Sequence, residues 1–127
     1  MIADHGDDPK ETDITEEAIR RLVHTFYGRV RQDPVIGPLF NRQIDDWTTH
    51  LDTLSAFWSS VMLSTGRYKG TPMAAHMRLP IEPVFFERWL ALWGRTASEL
   101  FIPETAARFI GKAERIAESL KLGLSLR

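Results

Sequence analysis

Four side chains are of a type and in a setting that could do chemistry: His76, His50, Tyr27 and Trp89. His76 stands in "GTPMAAHMRLP", residues 70–80, fenced by Pro72 and Pro80 and surrounded by Met73, Met77 and Leu79. A short helix between flexible joints can aim such a ring inward. A neutral imidazole whose second nitrogen is held by a backbone acceptor is then a good axial ligand for haem iron. The same ring at a helix end can also be satisfied by a carbonyl and do nothing further. His50 lies inside an apolar helical stripe, so it is either a core histidine with a local partner or a group aimed at a bound molecule. Tyr27, next to Phe26, puts its hydroxyl either at the surface or, if buried, against a partner that a ligand can supply. Trp89 brings one indole donor to an apolar face, where bulk alone would also explain it.

Two histidines on consecutive elements, with no cysteine anywhere in the chain, cannot make a structural zinc site unaided. A flat cofactor between them needs only one as a permanent ligand. Arg67, Tyr68, Lys69 and Arg78 flank the His76 segment and suit either the carboxylates of a cofactor or a solvated loop. The sequence contains no Gly-rich phosphate loop, HExxH, GxSxG or paired-carboxylate arrangement, which removes the nucleotidase, protease, esterase and glycosidase readings.

The elements that must position these residues read as helices. Thr15 followed by Glu16 and Glu17 predicts an N-cap with acids at the positive end of a helix dipole. Ile19, Leu22, Val23, Phe26 and Val30 then recur at helical spacing until Asp33-Pro34 stops the run. "PVIGPLFNRQ", residues 34–43, is interrupted by Pro34, Gly37 and Pro38 and is expected to be a partly buried corner, not a regular helix. Asp45 or Asp46 can cap a second long helix with Trp47, His50, Leu51, Leu54, Phe57, Trp58 and Val61 inward. Thr71-Pro72 opens a short helix ending at Leu79-Pro80. Pro83 opens a third long helix, with Phe85, Phe86, Trp89, Leu92, Trp93 and Leu100 inward, that stops before Pro103. A fourth follows from Glu104, with Ala106, Ile110, Ala113, Ala117 and Leu120 on one face. No run alternates with period two, so the chain is expected to be all-α.

With 127 residues and a net charge of −1 from 16 basic and 17 acidic groups, one domain with a real core and no nucleic-acid partner is expected. Residues 1–13, acidic and carrying Gly6 and Pro9, read as a flexible tail, and 14–127 as the folded domain. The longest uncharged run, Thr53 to Gly66, is too short to span a membrane, and the N-terminus has no secretory pattern, which makes the cytoplasm the default.

Four stretches in this order and spacing carry a resemblance: "FYGRVRQDPVIGPLF" (26–40), "DWTTHLDTLSAFWSSVML" (46–63), "YKGTPMAAHMRLP" (68–80) and "FFERWLALW" (85–93). Over about residues 14 to 122 the sequence resembles a group III truncated haemoglobin of bacteria. The resemblance implies a globin-like, truncated 2-over-2 helical sandwich around haem b. His76 matches the iron ligand and Phe40 the phenylalanine packed on the haem. Tyr27, His50 and Trp89 match the polar groups on the gas-binding side. Phe57 and Trp58 match an aromatic pair typical of the group, with Leu54 or Phe57 on the distal wall. Tyr68, Met73, Leu79 and Phe86 complete the residues expected against the cofactor.

The function so implied is the binding of oxygen, nitric oxide and carbon monoxide, with redox chemistry on the ligand such as nitric oxide dioxygenation or a peroxidase-like reaction, fed by a reductase partner. The alternative on the same fold is a passive oxygen binder or sensor. The alternative of another class is a haem-free helical partner-binding domain in which both histidines are core residues.

Overall fold

The computed structural model describes residues 9–70 and 81–123. Among these are five helices: α1 (Glu16–Val30), α2 (Gly37–Gln43), α3 (Trp47–Leu63), α4 (Pro83–Leu100) and α5 (Pro103–Gly123). The all-α expectation holds. The short helix expected near Thr71–Leu79 lies outside the described residues.

Local chemistry explains most helix ends. Thr15 Oγ1 accepts the Ala18 N–H at 3.1 Å, and Glu16 and Glu17 occupy the first turn of α1. Asp46 does the same for α3, accepting the Thr49 N–H at 3.1 Å. That helix ends on Ser64, which takes a left-handed conformation with φ 58°. Prolines 83 and 103 start α4 and α5, where a missing N–H costs no hydrogen bond.

The corner expected at 34–43 is instead largely helical. Pro38 falls in the first turn of α2, the one place in a helix that tolerates it. Asp33 sets up this turn: its Oδ2 accepts the N–H groups of Val35 and Ile36 at 2.9 and 3.0 Å. Gly37 fits because a Cβ there would lie 2.9 Å from the carbonyl oxygens of both Val30 and Arg31.

The helices form two pairs, α1 with α3 and α4 with α5, joined by α1 against α4. At the junction Ile19, Leu22, Phe26, Val30, Trp58, Trp93, Phe101 and Phe109 are almost wholly sealed from water. Each contributes roughly 1.5 to 3 kcal/mol of burial energy. Phe109 was not among the residues expected on the inner face of α5. A smaller cluster of Phe86, Ala117 and Leu120 holds the far side of α4 against α5.

The end of the acidic segment, expected to be flexible through Asp13, is docked from Lys10 onward. Glu11 gives its N–H to the Leu100 carbonyl and takes that of Ile102, at 2.8 and 2.9 Å, forming a single bridge across the α4–α5 joint. Lys10 Nζ donates to the Ser98 carbonyl, and Thr105 Oγ1 to that of Thr12. The bonds to Leu100, Ile102 and Ser98 satisfy backbone groups that two helix ends would leave orphaned.

Candidate functional site

α1, α2, α3 and α4 bring Tyr27, Phe40, Trp47, His50 and Trp89 together. Tyr27 is 4% exposed, on the inner edge of α1. Its ring meets Phe40 at 5.8 Å, Trp47 at 6.1 Å and His50 at 6.2 Å between centroids, and packs edge-on to Phe26 at 4.6 Å. His50 also stands edge-on to Trp47 at 5.6 Å. The Trp89 indole N–H donates to the Tyr27 hydroxyl oxygen at 3.5 Å, long for such a bond. That contact uses the phenol as acceptor, so its hydrogen is still available to donate. Burial pushes the Tyr27 pKa up to about 12, the Trp89 bond opposing this only in part.

Of the expected distal residues, then, Tyr27, His50 and Trp89 are brought together, with Phe40 beside them. Leu54 and Phe57 follow along α3, half-buried and packed against the main core. Phe57 touches Tyr68 edge-on at 5.2 Å, and the Tyr68 N–H is held by Ser60 Oγ at 2.9 Å. Phe86 is placed apart from this group, in the second cluster with Ala117 and Leu120, where helix packing accounts for its burial. His76, Met73 and Leu79 lie outside the described residues.

Two residues were missed or underread in the sequence. Trp47 was counted only as one of an inward stripe, yet its ring forms a wall of the cluster with the Arg31 guanidinium 4.6 Å above it. Asp33 was read as a helix stop. Its side chain is buried, and Oδ1 accepts from Arg88 Nε at 2.7 Å, tying the α1–α2 turn to the residue next to Trp89. Burial alone would raise the Asp33 pKa; the N–H groups of Ile36 and Val35 and the Arg88 guanidinium outweigh it and hold the carboxyl below its ordinary value. An acid at a helix boundary is the usual sign of such a cap, but its partner 55 residues on leaves no local trace.

The set fits a flat, largely apolar group. The flank of α3 presents Trp47, Leu51, Leu54, Phe57 and Val61 half-exposed, apolar side chains that the core does not seal, beside a few converging polar atoms. Among the described residues no group of three or more His, Cys, Asp or Glu could hold a bare metal ion. Two surface clefts, one lined by Pro9 to Thr15 with Arg21 and the other by Glu16, Arg20, Asp52 and Arg67, are walled mostly by polar and charged groups and share no residue with the aromatic cluster. No helix of the described residues is long and apolar enough to cross a membrane.

No protein-family model matches the sequence. The chain is 34% identical over 109 residues to the group 3 truncated hemoglobin ctb of Campylobacter jejuni, a match covering 82% of this chain and 86% of that one. The crystal structure of group III truncated hemoglobin from Campylobacter jejuni superposes with a TM-score of 0.86 at 33% identity, covering 91% of this chain and 95% of the other. Identity at that level over most of both chains, on a shared fold, establishes that the protein belongs to the group III truncated haemoglobins.

Proposed function

We propose that the chain holds a b-type haem along the α3 flank with His76 as iron ligand, binds oxygen, nitric oxide and carbon monoxide there, and performs redox chemistry on the bound gas. When bound, the group would supply a ferrous iron that takes the diatomic ligand. The protein supplies the rest. Phe40, Leu54 and Phe57 exclude water on one side, and Met73 and Leu79 are the apolar neighbours of His76 in the sequence. Tyr68 stands at the rim.

The observation that carries this reading is the buried Tyr27 hydroxyl, which accepts from Trp89 and keeps its own hydrogen to give. With a pKa near 12 it remains a neutral donor throughout the physiological range. In a low-dielectric pocket a hydrogen bond to a ligand that gathers negative charge is strong, and Trp89 orients the phenol that makes it. His50 stands edge-on to Tyr27 in the same cluster, where an imidazole can pass a proton to or from a bound ligand. Tight retention favours nitric oxide dioxygenation or peroxide reduction, with electrons from a cytoplasmic reductase, over bulk delivery.

Tyr27→Phe removes this donor and nothing else of that size. A hydrogen bond to a charged group is worth about 1.5 to 3 kcal/mol, so oxygen dissociation should quicken by roughly tenfold to more than a hundredfold in stopped-flow measurement. An unchanged rate overturns the mechanism. Steady-state consumption of nitric oxide or peroxide under a reducing system separates turnover from passive binding.

A further inference from the structure

Three of the four tryptophans are stacked in a line that starts at the polar cluster. Trp89, whose N–H meets the Tyr27 hydroxyl, lies 5.9 Å from Trp93 with ring planes 5° apart. Trp93 lies 4.4 Å from Trp58, 21° apart. Ring contact continues from Trp58 to Phe57 at 5.5 Å and from Phe57 to Tyr68 at 5.2 Å, and Tyr68 is partly open to solvent. Aromatic pairs in cores pack either edge-on, as Phe26 does to Tyr27, Trp89 and Trp93, or offset-parallel, as these three indoles do. Parallel indoles instead place π-systems face to face, the geometry that lets one ring pass an electron to the next and spreads a positive charge over several.

We propose that Trp89, Trp93 and Trp58 form a one-electron relay that carries oxidising equivalents away from the Tyr27 end of the pocket to Tyr68. Indole and phenol are the side chains most easily oxidised by one electron. The buried middle of the line is built to bear the resulting charge, because the Trp93 N–H, 0% exposed, donates to the Phe109 carbonyl at 3.1 Å. An amide oxygen stabilises a cationic ring by its dipole but is too weak a base to take the proton, so the vacancy stays mobile. Trp47, whose ring also meets that of Tyr27 at 6.1 Å, is excluded by charge: the Arg31 guanidinium over its ring opposes any loss of an electron there.

The proposal rests on the redox reading above for its oxidant, hydrogen peroxide. Reduction of one peroxide in the pocket takes two electrons and two protons and releases two waters. The electrons pass one at a time along the relay, each leaving Tyr68 as a neutral radical once its proton goes to solvent. Two molecules of a dissolved phenol, each giving one hydrogen atom as electron and proton, restore it and leave as phenoxyl radicals.

The test uses the haem-loaded full chain with ring-deuterated tryptophan. Freeze-quenching after one equivalent of peroxide should give a protein radical whose electron paramagnetic resonance narrows on that deuteration. In Trp93→Phe this component should fall several-fold, the signal remaining on tyrosine, whereas Trp47→Phe should keep it. An indole signal unaffected by Trp93→Phe, or absent from the wild type while tyrosyl radicals form, overturns the relay. In a second arm, flash-generated tris(bipyridine)ruthenium(III) replaces peroxide as oxidant. Transfer between indole and tyrosyl absorbances should then proceed at a rate independent of protein concentration and slow several-fold in Trp93→Phe. If peroxide draws no radical but the flash arm behaves as described, the redox reading fails and the relay stands; if the flash rate is the same in the variant, the relay fails. Trp58→Phe serves the same comparisons should Trp93→Phe not fold.

Discussion

The junction of α1, α4 and α5 and the outer flank of α3 are both apolar and differently closed. Phe26, Trp93 and Phe109 at the junction are fully buried, while Trp47, Leu51, Leu54, Phe57 and Val61 on the flank stay half-exposed. At the junction polar atoms are used up locally: the Trp93 N–H is bound by the Phe109 carbonyl, and Thr96 Oγ1 by that of Leu92 at 2.8 Å. At the flank the polar atoms of Tyr27, His50 and Trp89 converge instead of dispersing. Apolar side chains make a core when they seal one another. They make a site when they stop short of sealing and a few donors point the same way.

The largest expected effect falls on the sealed side. Trp93→Ala should cost about 3 to 5 kcal/mol in urea unfolding, whereas Leu54→Ala, from a half-open position, should cost under about 2. Equal losses would erase the distinction between the two regions. Asp33→Ala, which severs the tie between the α1–α2 turn and Arg88, should cost about 2 to 3 kcal/mol. Because the folded state lowers the Asp33 pKa, its contribution is present above the ordinary carboxylate value of 3.8 and is lost as pH falls through the lower native one. The variant should therefore lose that part of the acid dependence of Tm. Tyr27 has the opposite sign. Its pKa rises from 10.0 to about 12 on folding, so stability should decline between those values as the unfolded phenol ionises first. The decline should be on the order of 2 kcal/mol in alkaline unfolding and vanish in Tyr27→Phe. Thr15→Ala, remote from both regions, should cost about 1 kcal/mol and leave gas kinetics alone. A change in those kinetics would mean that the helix start and the pocket are coupled.

How far the sequence could be read followed the range of the interactions involved. Caps at Thr15 and Asp46 and the proline starts of α4 and α5 act within one turn and were legible. The clustering of Tyr27, His50 and Trp89 came from the resemblance; helical spacing alone left each with an ordinary alternative. The interior of α3 was only half legible. Its inward stripe is divided, with Trp58 beside Ser55 and Ser59 on the sealed side and the other residues on the open flank. A hydrophobic pattern passes over buried serines and threonines: Ser59 finds Glu16 at 2.7 Å and Thr105 the Thr12 carbonyl, while Ser55 Oγ has no partner among the described residues. The Asp33–Arg88 tie and the docking of Glu11 on the α4–α5 joint join distant parts of the chain, and no periodicity reports them.

Gly37 lines neither surface cleft, yet the closeness of two carbonyl oxygens leaves no room there for even one methyl group. Any larger residue must lever α2 outward and take Phe40, three positions on, away from the phenol it touches. On the function proposed above, the space left to a gas molecule would be set partly by a hydrogen atom outside the aromatic cluster, where a search confined to its walls would never look.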